Sequence, residues 1–198
     1  MKLHHSPSSP FVRKVMAAAI LRGLDGKIEK IPTNPHESPA HLLVDNPLSK
    51  IPALVTDDGV ALIDSLVICE YLDTLGDAPR LIPAAGPERI KVLQLHAIAD
   101  GLMDAAVARR GMAQLPQDDG RRAYDARQKG VMERSLAALE KAEPQGLGNL
   151  GLVSIGCALG YLDFRYAHEP WRPTHPKLAA WFDAVKANRA FAETMPPA

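Results

Sequence analysis

Ser8-Ser9-Pro10-Phe11-Val12-Arg13-Lys14-Val15 sets two hydroxyls ahead of a proline and an apolar, basic helical pattern after it. Proline's missing N–H costs nothing at the first position of a helix. Serine is favoured one position earlier, as the cap. The stretch therefore predicts a helix with Ser9 as its N-cap, Pro10 as its first residue and Ser8 feeding the cap. The open N-terminus of such a helix presents unpaired N–H groups and a partial positive charge. That environment stabilises an anion, and a thiolate is one candidate. Most Ser-Pro pairs at helix starts only cap, so the neighbouring elements decide the reading.

Before it, Lys2 to His5 is short and bounded by Ser-Pro, consistent with a first strand. After it, Phe11, Val15, Ala18, Ala19 and Leu24 recur at helical spacing up to Gly23 and Gly26. Lys27-Ile28-Glu29-Lys30-Ile31 alternates and predicts a second strand, ended by Pro32. Ser38-Pro39 repeats the cap signal before a short helix, Ala40 to Val44, which Asn46-Pro47 breaks. Lys50 to Val55 predicts a strand with Pro52 at its mouth, where proline need not donate to a ladder. Asp57-Asp58-Gly59 is a hairpin turn, and Val60 to Ile63 returns as a strand. Asp64-Ser65 then opens an apolar helix through Leu66, Ile68, Cys69, Leu72 and Leu75, closed by Gly76. This order predicts a small mixed sheet flanked by helices. Three features converge at one edge of it: Ser8/Ser9, Ile51-Pro52 and Asp64-Ser65.

These residues carry a family resemblance. Ser8-Ser9-Pro10-Phe11-Val12-Arg13-Lys14-Val15 resembles the active-site turn and first helix of serine-type bacterial members of the cytosolic glutathione S-transferases. Asn46-Pro47-Leu48-Ser49-Lys50-Ile51-Pro52-Ala53-Leu54 resembles the family's loop leading to a cis-proline. Asp64-Ser65 resembles its acidic-Ser pair, which holds the γ-glutamyl group of glutathione. Each motif alone is weak; three in the family's order and spacing are strong. The resemblance implies a thioredoxin-like glutathione-binding domain over 1–77, a linker over 78–86 and an all-helical domain over 87–198.

Glutathione conjugation needs the thiolate, because the thiol is a poor nucleophile with a pKa of about 8.5. A site that favours the anion by one to two pKa units supplies about 1.4 to 2.8 kcal/mol. A serine hydroxyl donating to sulfur, together with a helix N-terminus, is suited to that task. Serine is then a hydrogen-bond donor, not a nucleophile. In some serine classes the active hydroxyl stands two residues before the proline, here Ser8. In the bacterial and omega-like pattern it directly precedes the proline, here Ser9, and Ser-Pro-Phe matches that pattern more closely. The resemblance further implies that Pro52, as a cis-proline, turns the Ile51 backbone outward, so that its N–H and C=O pair with the cysteinyl part of glutathione as a strand would. Lys50 faces the glycyl carboxylate, Asp64 the γ-glutamyl ammonium, and Ser65 with its helix start the γ-glutamyl carboxylate. Phe11 and His36 complete the glutathione set.

Asp77 to Pro87 is rich in Pro, Ala and Gly and reads as the linker. Beyond it the pattern is helical. One long helix is expected on Ile90, Leu93, Ile98, Leu102, Val107 and Met112. A second is expected from Arg121 to Glu143 with Val131, Leu136 and Leu139 inward, and a third from Leu150 to about Tyr166 capped by Asn149. His175-Pro176 opens a fourth with Leu178, Trp181, Phe182 and Val185, and Glu193 to Ala198 is a Pro-rich tail. The family places an acidic residue three positions after the cap of the third helix. Here Leu152 stands there, so the reciprocal half of the capping box is missing. In similar proteins a polar residue on the long helix reaches the glutathione of the partner in a homodimer; Asp100 and Asp104 are the candidates. Met103, Met112, Tyr166 and Trp171 are read as core, with the electrophile pocket as the alternative.

The totals bound the function class. Lys+Arg and Asp+Glu are both 23, so the formal net charge is zero and no bulk affinity for nucleic acid or an anionic membrane is expected. The start of the chain lacks the apolar core of a secretory signal, and no apolar run reaches transmembrane length. Two cysteines in apolar helical contexts, Cys69 and Cys157, read as buried thiols in a reducing cytoplasm. The expected activity is conjugation of glutathione, as substrate, to a small hydrophobic electrophile in detoxification, with no cofactor and no metal. A non-catalytic glutathione-binding or interaction protein and a glutathione-dependent disulfide reductase are the alternatives. The reductase is disfavoured because the turn holds no cysteine.

Overall fold

A computed structural model describes residues 1–197; Ala198, the last residue of the expected tail, lies outside them. The described chain divides into two compact units. One comprises Met1–Pro83 with the stretch from Asn188 on, the other Ala84–Ala187. The sequence reading ran the helical domain to the C-terminus; contacts group Asn188 onward with the first unit instead.

The first unit is built on a four-stranded sheet of order β2-β1-β3-β4, with β1 (Lys2–His5), β2 (Glu29–Pro32), β3 (Leu54–Val55) and β4 (Ala61–Leu62). β1 pairs parallel with β2 and antiparallel with β3, and β3 pairs antiparallel with β4. With its flanking helices this is a thioredoxin-like domain. The β1–β2 crossover carries α1 (Pro10–Leu21), as a parallel pair requires. The second strand begins later than expected, because Asp25–Lys27 forms a 3-10 turn, and Pro32 closes the strand from within. The predicted strands at Lys50–Val55 and Val60–Ile63 each shrink to two ladder residues.

α1 buries Val12, Val15, Met16, Ala18 and Ala19. The chain reverses after it at Gly23, whose φ of +67° is open to glycine. Arg13 and Lys14, written as basic helix residues, are buried as well, at 5% and 0% exposure. Arg13 is held by the C-terminal helix α8 (Arg189–Ala192), which the sequence reading missed. Its Nη2 donates to the Phe191 carbonyl at 3.1 Å, and its guanidinium lies 5.7 Å from the Phe191 ring. α2 (Ala40–Asp45) and α3 (Ser65–Asp73) complete the unit.

The second unit is all-helical: α4 (Gly86–Ala113), α5 (Asp119–Ala142), α6 (Leu150–Arg165) and α7 (Pro176–Val185). α6 is buried from Leu150 through Leu162 and forms the centre. Asn149 caps it as expected, its side chain accepting from Leu152 N at 3.0 Å. α4 and α6 run parallel in a fixed register. His96 Nδ1 lies 3.0 Å from Ser154 Oγ, and further along Tyr166 Oη donates to the Ala106 carbonyl at 2.6 Å. The buried face of α4 takes in only part of the apolar pattern that marked the helix. Val92, His96, Ala99, Leu102, Met103, Ala105, Ala106 and Arg109 are buried, whereas Ile90, Val107 and Met112 are exposed. On this face Val92, Leu102 and Met103 are buried beside the small residues Ala99, Ala105 and Ala106, and His96 meets Ser154 in a polar contact. Met103, Tyr166 and Trp171 sit in the core as read. Among the described residues no helix is long and apolar enough to cross a membrane.

Candidate functional site

The sheet register determines which loops meet. β1 ends at His5 and feeds the Ser6–Ser9 turn. β3 runs antiparallel with Leu54 opposite Leu3, and His4 N donates to the Ala53 carbonyl at 2.9 Å. Ile51-Pro52 therefore enters beside the end of β1. β4 runs antiparallel again with Leu62 opposite Leu54, so Asp64-Ser65 leaves at the same end. β2 is parallel to β1, and Thr33 N donates to the His5 carbonyl at 2.9 Å. Three candidate pairs, Ser8/Ser9, Ile51/Pro52 and Asp64/Ser65, thus share one edge.

At this edge Ser9 is the N-cap of α1, its Oγ accepting from Val12 N at 3.3 Å. As an acceptor there, the hydroxyl keeps its own proton for another partner. Ser8 Oγ lies 3.3 Å from Ser6 Oγ. Both serines are half-buried, as is Phe11, whose ring centroid is 5.7 Å from Lys14 Nζ. The Ile51-Pro52 bond is cis, and so is Ile63-Asp64. Ile51 and Pro52 are buried, while Lys50 beside them is exposed. Asp64 is exposed and caps α3, its Oδ1 accepting from Leu66 N at 3.0 Å; Ser65 is 3% exposed.

His36 is exposed in the 3-10 turn Pro35–Glu37. That turn is tied to the loop before Lys50, because Ser49 Oγ donates to the Pro35 carbonyl at 3.1 Å. Asp100 and Asp104 lie on α4, in the helical unit, and are not among the groups the sheet brings together.

The sequence reading missed the residues that hold this edge. Asn46, 2% exposed, donates Nδ2 to the Lys50 carbonyl at 2.6 Å and accepts from Leu48 N at 2.9 Å. The sequence reading took Asn46 as a helix breaker and as the first residue of the loop to the cis-proline, not as the side chain that holds that loop. His4 is 4% exposed between Thr33 Oγ1 at 3.0 Å and Asp45 Oδ2 at 2.8 Å, joining β1 to α2. A strand-alternation argument has no means of finding that partner 41 residues away. At the end of β1, burial and then the Lys30 charge push the His5 imidazole below its ordinary value, so it stays neutral near pH 7.

The edge therefore gathers two helix N-termini, three hydroxyls, a carboxylate and an ammonium beside the Ile51-Pro52 main chain. It suits a zwitterionic peptide-like ligand. Among the described residues no cluster of His, Cys, Asp or Glu is placed to hold a metal ion. Residues 8–75 match the family described as glutathione S-transferase, N-terminal domain. Over its whole length the chain is 34% identical to the uncharacterised GST-like protein YibF of Escherichia coli K12, of which it covers 99%. It superposes with a TM-score of 0.92, at 38% identity and over 100% of its own length and 99% of the other, on a glutathione transferase family member from Pseudomonas fluorescens Pf-5 solved with glutathione bound. A glutathione S-transferase from Methylobacillus flagellatus, also solved with glutathione, gives a TM-score of 0.90 at 33% identity, with 99% of each chain covered. Sequence, fold and the groups gathered at the sheet edge agree, and the chain belongs to the glutathione S-transferase family.

Proposed function

We propose that the protein is a serine-type glutathione transferase that joins the glutathione thiolate to a small hydrophobic electrophile. The observation that carries this reading is the shared edge: Ser9 at the start of α1, the main chain of Ile51 entering β3, and Asp64-Ser65 at the start of α3. Two solved relatives hold glutathione, which supports it as the ligand here. In this reading Asp64 takes the γ-glutamyl ammonium and Ser65 with the α3 N-terminus its carboxylate. Lys50 faces the glycyl carboxylate, with Phe11 and His36 at the rim. The Ser9 hydroxyl donates to sulfur, and the α1 N-terminus adds its partial positive charge.

The reaction is a displacement. The thiol proton leaves to water, sulfur attacks the carbon bearing a leaving group such as chloride, the C–S bond forms and chloride departs with the electron pair. The site lowers the barrier by holding sulfur as the anion before the electrophile arrives. The enzyme works as a homodimer, with Asp100 or Asp104 reaching the partner's glutathione. A disulfide reductase working through its own thiolate is disfavoured, because Cys69 and Cys157 are both buried and neither lies at the turn.

Calorimetric titration with glutathione, followed by turnover of a chlorinated nitroaromatic, tests the reading. Micromolar to millimolar binding with turnover that falls in Ser9→Ala supports it. Binding without turnover on a panel of electrophiles leaves a glutathione-binding protein, and no binding at all removes the reading.

A further inference from the structure

A cavity of about 160 Å³ opens in the first unit, between α1, the Ser6-Pro7 turn, β2 and the segment after α8. It has the room of about five water molecules. Val12 and Met16 of α1, both buried, give it an apolar floor, and Met195 adds to this from the C-terminal segment. Arg13 of α1, His5 at the end of β1 and Lys30 of β2 line it as well. None of these residues belongs to the proposed glutathione set, so the cavity is read independently of that proposal.

Arg13 is a buried cation without an acid. It is 5% exposed. Its Nε donates to Thr194 Oγ1 at 3.3 Å and its Nη2 to the Phe191 carbonyl at 3.1 Å; among the described residues Nη1 has no partner, and no carboxylate stands within ion-pair distance. Arg22, as deeply buried in the same unit, has Asp73 Oδ1 3.4 Å from its Nε, and Arg109 in the helical unit has both Asp125 and Glu169. Glu193 also lines the cavity, but Arg189 engages its carboxylate, donating through Nε at 2.9 Å. Neutral acceptors satisfy two Arg13 nitrogens and leave its charge unmatched, whereas buried charges are ordinarily paired. The exposed Lys30 brings a second cation to the same cavity. Burial, and then the Lys30 charge, hold the His5 imidazole below its ordinary value, so near pH 7 it offers one N–H and no charge.

We infer that this cavity binds a short-chain monocarboxylate, with Arg13 and Lys30 as its cations and Val12 and Met16 as the floor under its alkyl chain. The open Arg13 nitrogen and the Lys30 ammonium serve two carboxylate oxygens with charge-assisted hydrogen bonds. The volume admits an acid of a few carbon atoms. A dianion is disfavoured, because the Glu193 carboxylate lies at the same cavity and repels a second negative charge.

The probe is butyrate, titrated into the full-length protein at low ionic strength and followed by nuclear magnetic resonance of the His5 imidazole, with butyramide as the neutral counterpart. Butyrate is expected to bind at least tenfold tighter than butyramide, and salt shrinks that advantage. The charged groups that share the cavity with His5 are Arg13, Lys30 and Glu193. A bound anion among them favours the imidazolium, so butyrate raises the midpoint of the His5 titration and butyramide leaves it in place. Arg13→Gln lowers butyrate affinity about tenfold. Because Arg13 also anchors the C-terminal segment, the exposed Lys30→Gln carries the test if that variant does not fold, with an expected loss of about threefold. Glu193→Gln removes a repulsion and tightens butyrate about threefold, while Lys2→Gln, at the opposite end of β1, changes nothing. Equal affinity for acid and amide, unchanged affinity in Lys30→Gln, weaker binding in Glu193→Gln, or inorganic phosphate binding tighter than butyrate overturns the assignment. Glutathione is titrated in parallel at saturating butyrate. Unchanged glutathione affinity supports a separate site, competition places butyrate in the glutathione site and overturns it, and a protein that binds butyrate but no glutathione leaves this inference standing without the transferase reading.

Discussion

Arg109 and Glu169 form a two-pronged pair: Nη1 donates to Oε2 at 3.1 Å and Nη2 to Oε1 at 3.0 Å. The same guanidinium donates through Nε and Nη2 to Asp125 at 2.9 and 3.1 Å, and its carbon lies 5.1 Å from the Tyr166 ring centroid. One side chain of α4 thereby fastens α5 and the segment after α6. Burial opposes the Arg109 charge, but its hydrogen bonds to Glu169 and Asp125 outweigh that and raise its pKa. The Arg109 hydrogen bond is also the main reason the Glu169 carboxyl is held below its ordinary 4.5. A carboxylate whose folded value is depressed adds stability above its unfolded value and loses it as pH falls through the folded value. Acidification below about pH 4.5 is therefore expected to lower the melting temperature of the parent more steeply than that of Glu169→Gln. Parallel pH-dependent melts check this; coincident slopes would refute it.

Arg109→Met removes the hub, leaving Asp125 and the Tyr166 ring without their cation and Glu169 with Lys129 alone among the basic residues at salt-bridge distance below 3.5 Å. Breaking a buried pair on one side costs about 3 kcal/mol. A chain of this size then melts roughly 6–12 °C lower. Because Asp125 and Glu169 share the guanidinium, Asp125→Asn and Glu169→Gln should be non-additive in a double-mutant cycle.

The two serines of the α1 turn separate by their geometry. Ser9 Oγ accepts from Val12 N, so Ser9→Ala loses a cap worth about 1 kcal/mol as well as the proposed donor to sulfur. The thiol of bound glutathione should then titrate near the free value of about 8.5, read from the ultraviolet absorbance of the thiolate, and kcat/KM should fall about 10–100-fold. Ser9→Thr restores both hydroxyl functions and should recover most of the loss. Ser8→Ala, which loses only the contact with Ser6, should change kcat/KM less than threefold. The reverse order of effects would transfer the role to Ser8.

What the sequence made legible were elements whose signals are local. Ser9-Pro10, Asp64-Ser65, Asn149 and His175-Pro176 each mark a helix start by chemistry confined to three or four residues, and all four start where read. The gathering of three motifs at one edge followed from element order alone, because alternating strand directions return the chain to the same end. The misreadings arose where packing partners are distant. The apolar spacing of α4 marked a helix but not which of its positions meet α6, whose backbone comes close to α4 at Gly151. Nothing local to Arg13 and Lys14 signals their burial, and the segment around Phe191 that folds back over Arg13 is distant in sequence. Asn46 and His4 carry long-range hydrogen bonds that no periodicity encodes.

That close approach on α6 has its own consequence. A Cβ added at Gly151 would meet Leu95 Cβ at 2.8 Å and the Val92 carbonyl oxygen at 2.9 Å. The second atom is main chain and cannot turn aside. Gly151→Ala is expected to push α4 and α6 apart at a cost of roughly 1–3 kcal/mol, although alanine is the better helix former. Chemical denaturation measures the loss. A variant as stable as the parent would mean that the seam relaxes without cost.

Asp73 ends α3 and ties down the segment after it. Its Oδ1 accepts from Leu81 N at 2.7 Å and its Oδ2 from Ile82 N at 2.9 Å, all in buried surroundings. Arg22 Nε stands 3.4 Å from the same Oδ1, within ion-pair reach though not aligned as a hydrogen bond. Arg22 Nη2 donates to the Leu75 carbonyl at 2.7 Å. Asp73→Ala leaves two buried amides without their acceptor and the buried Arg22 guanidinium without its carboxylate, which costs roughly 3–5 kcal/mol. Asp73→Asn keeps one acceptor oxygen and should lose about half as much. The signature separating this tie from a general packing loss is local. Amide exchange at Leu81 and Ile82 should accelerate in Asp73→Asn well before exchange in β1 does, because only the segment after α3 has lost its anchor. Uniform acceleration across the sheet would show that Asp73 supports the whole unit and not this one connection.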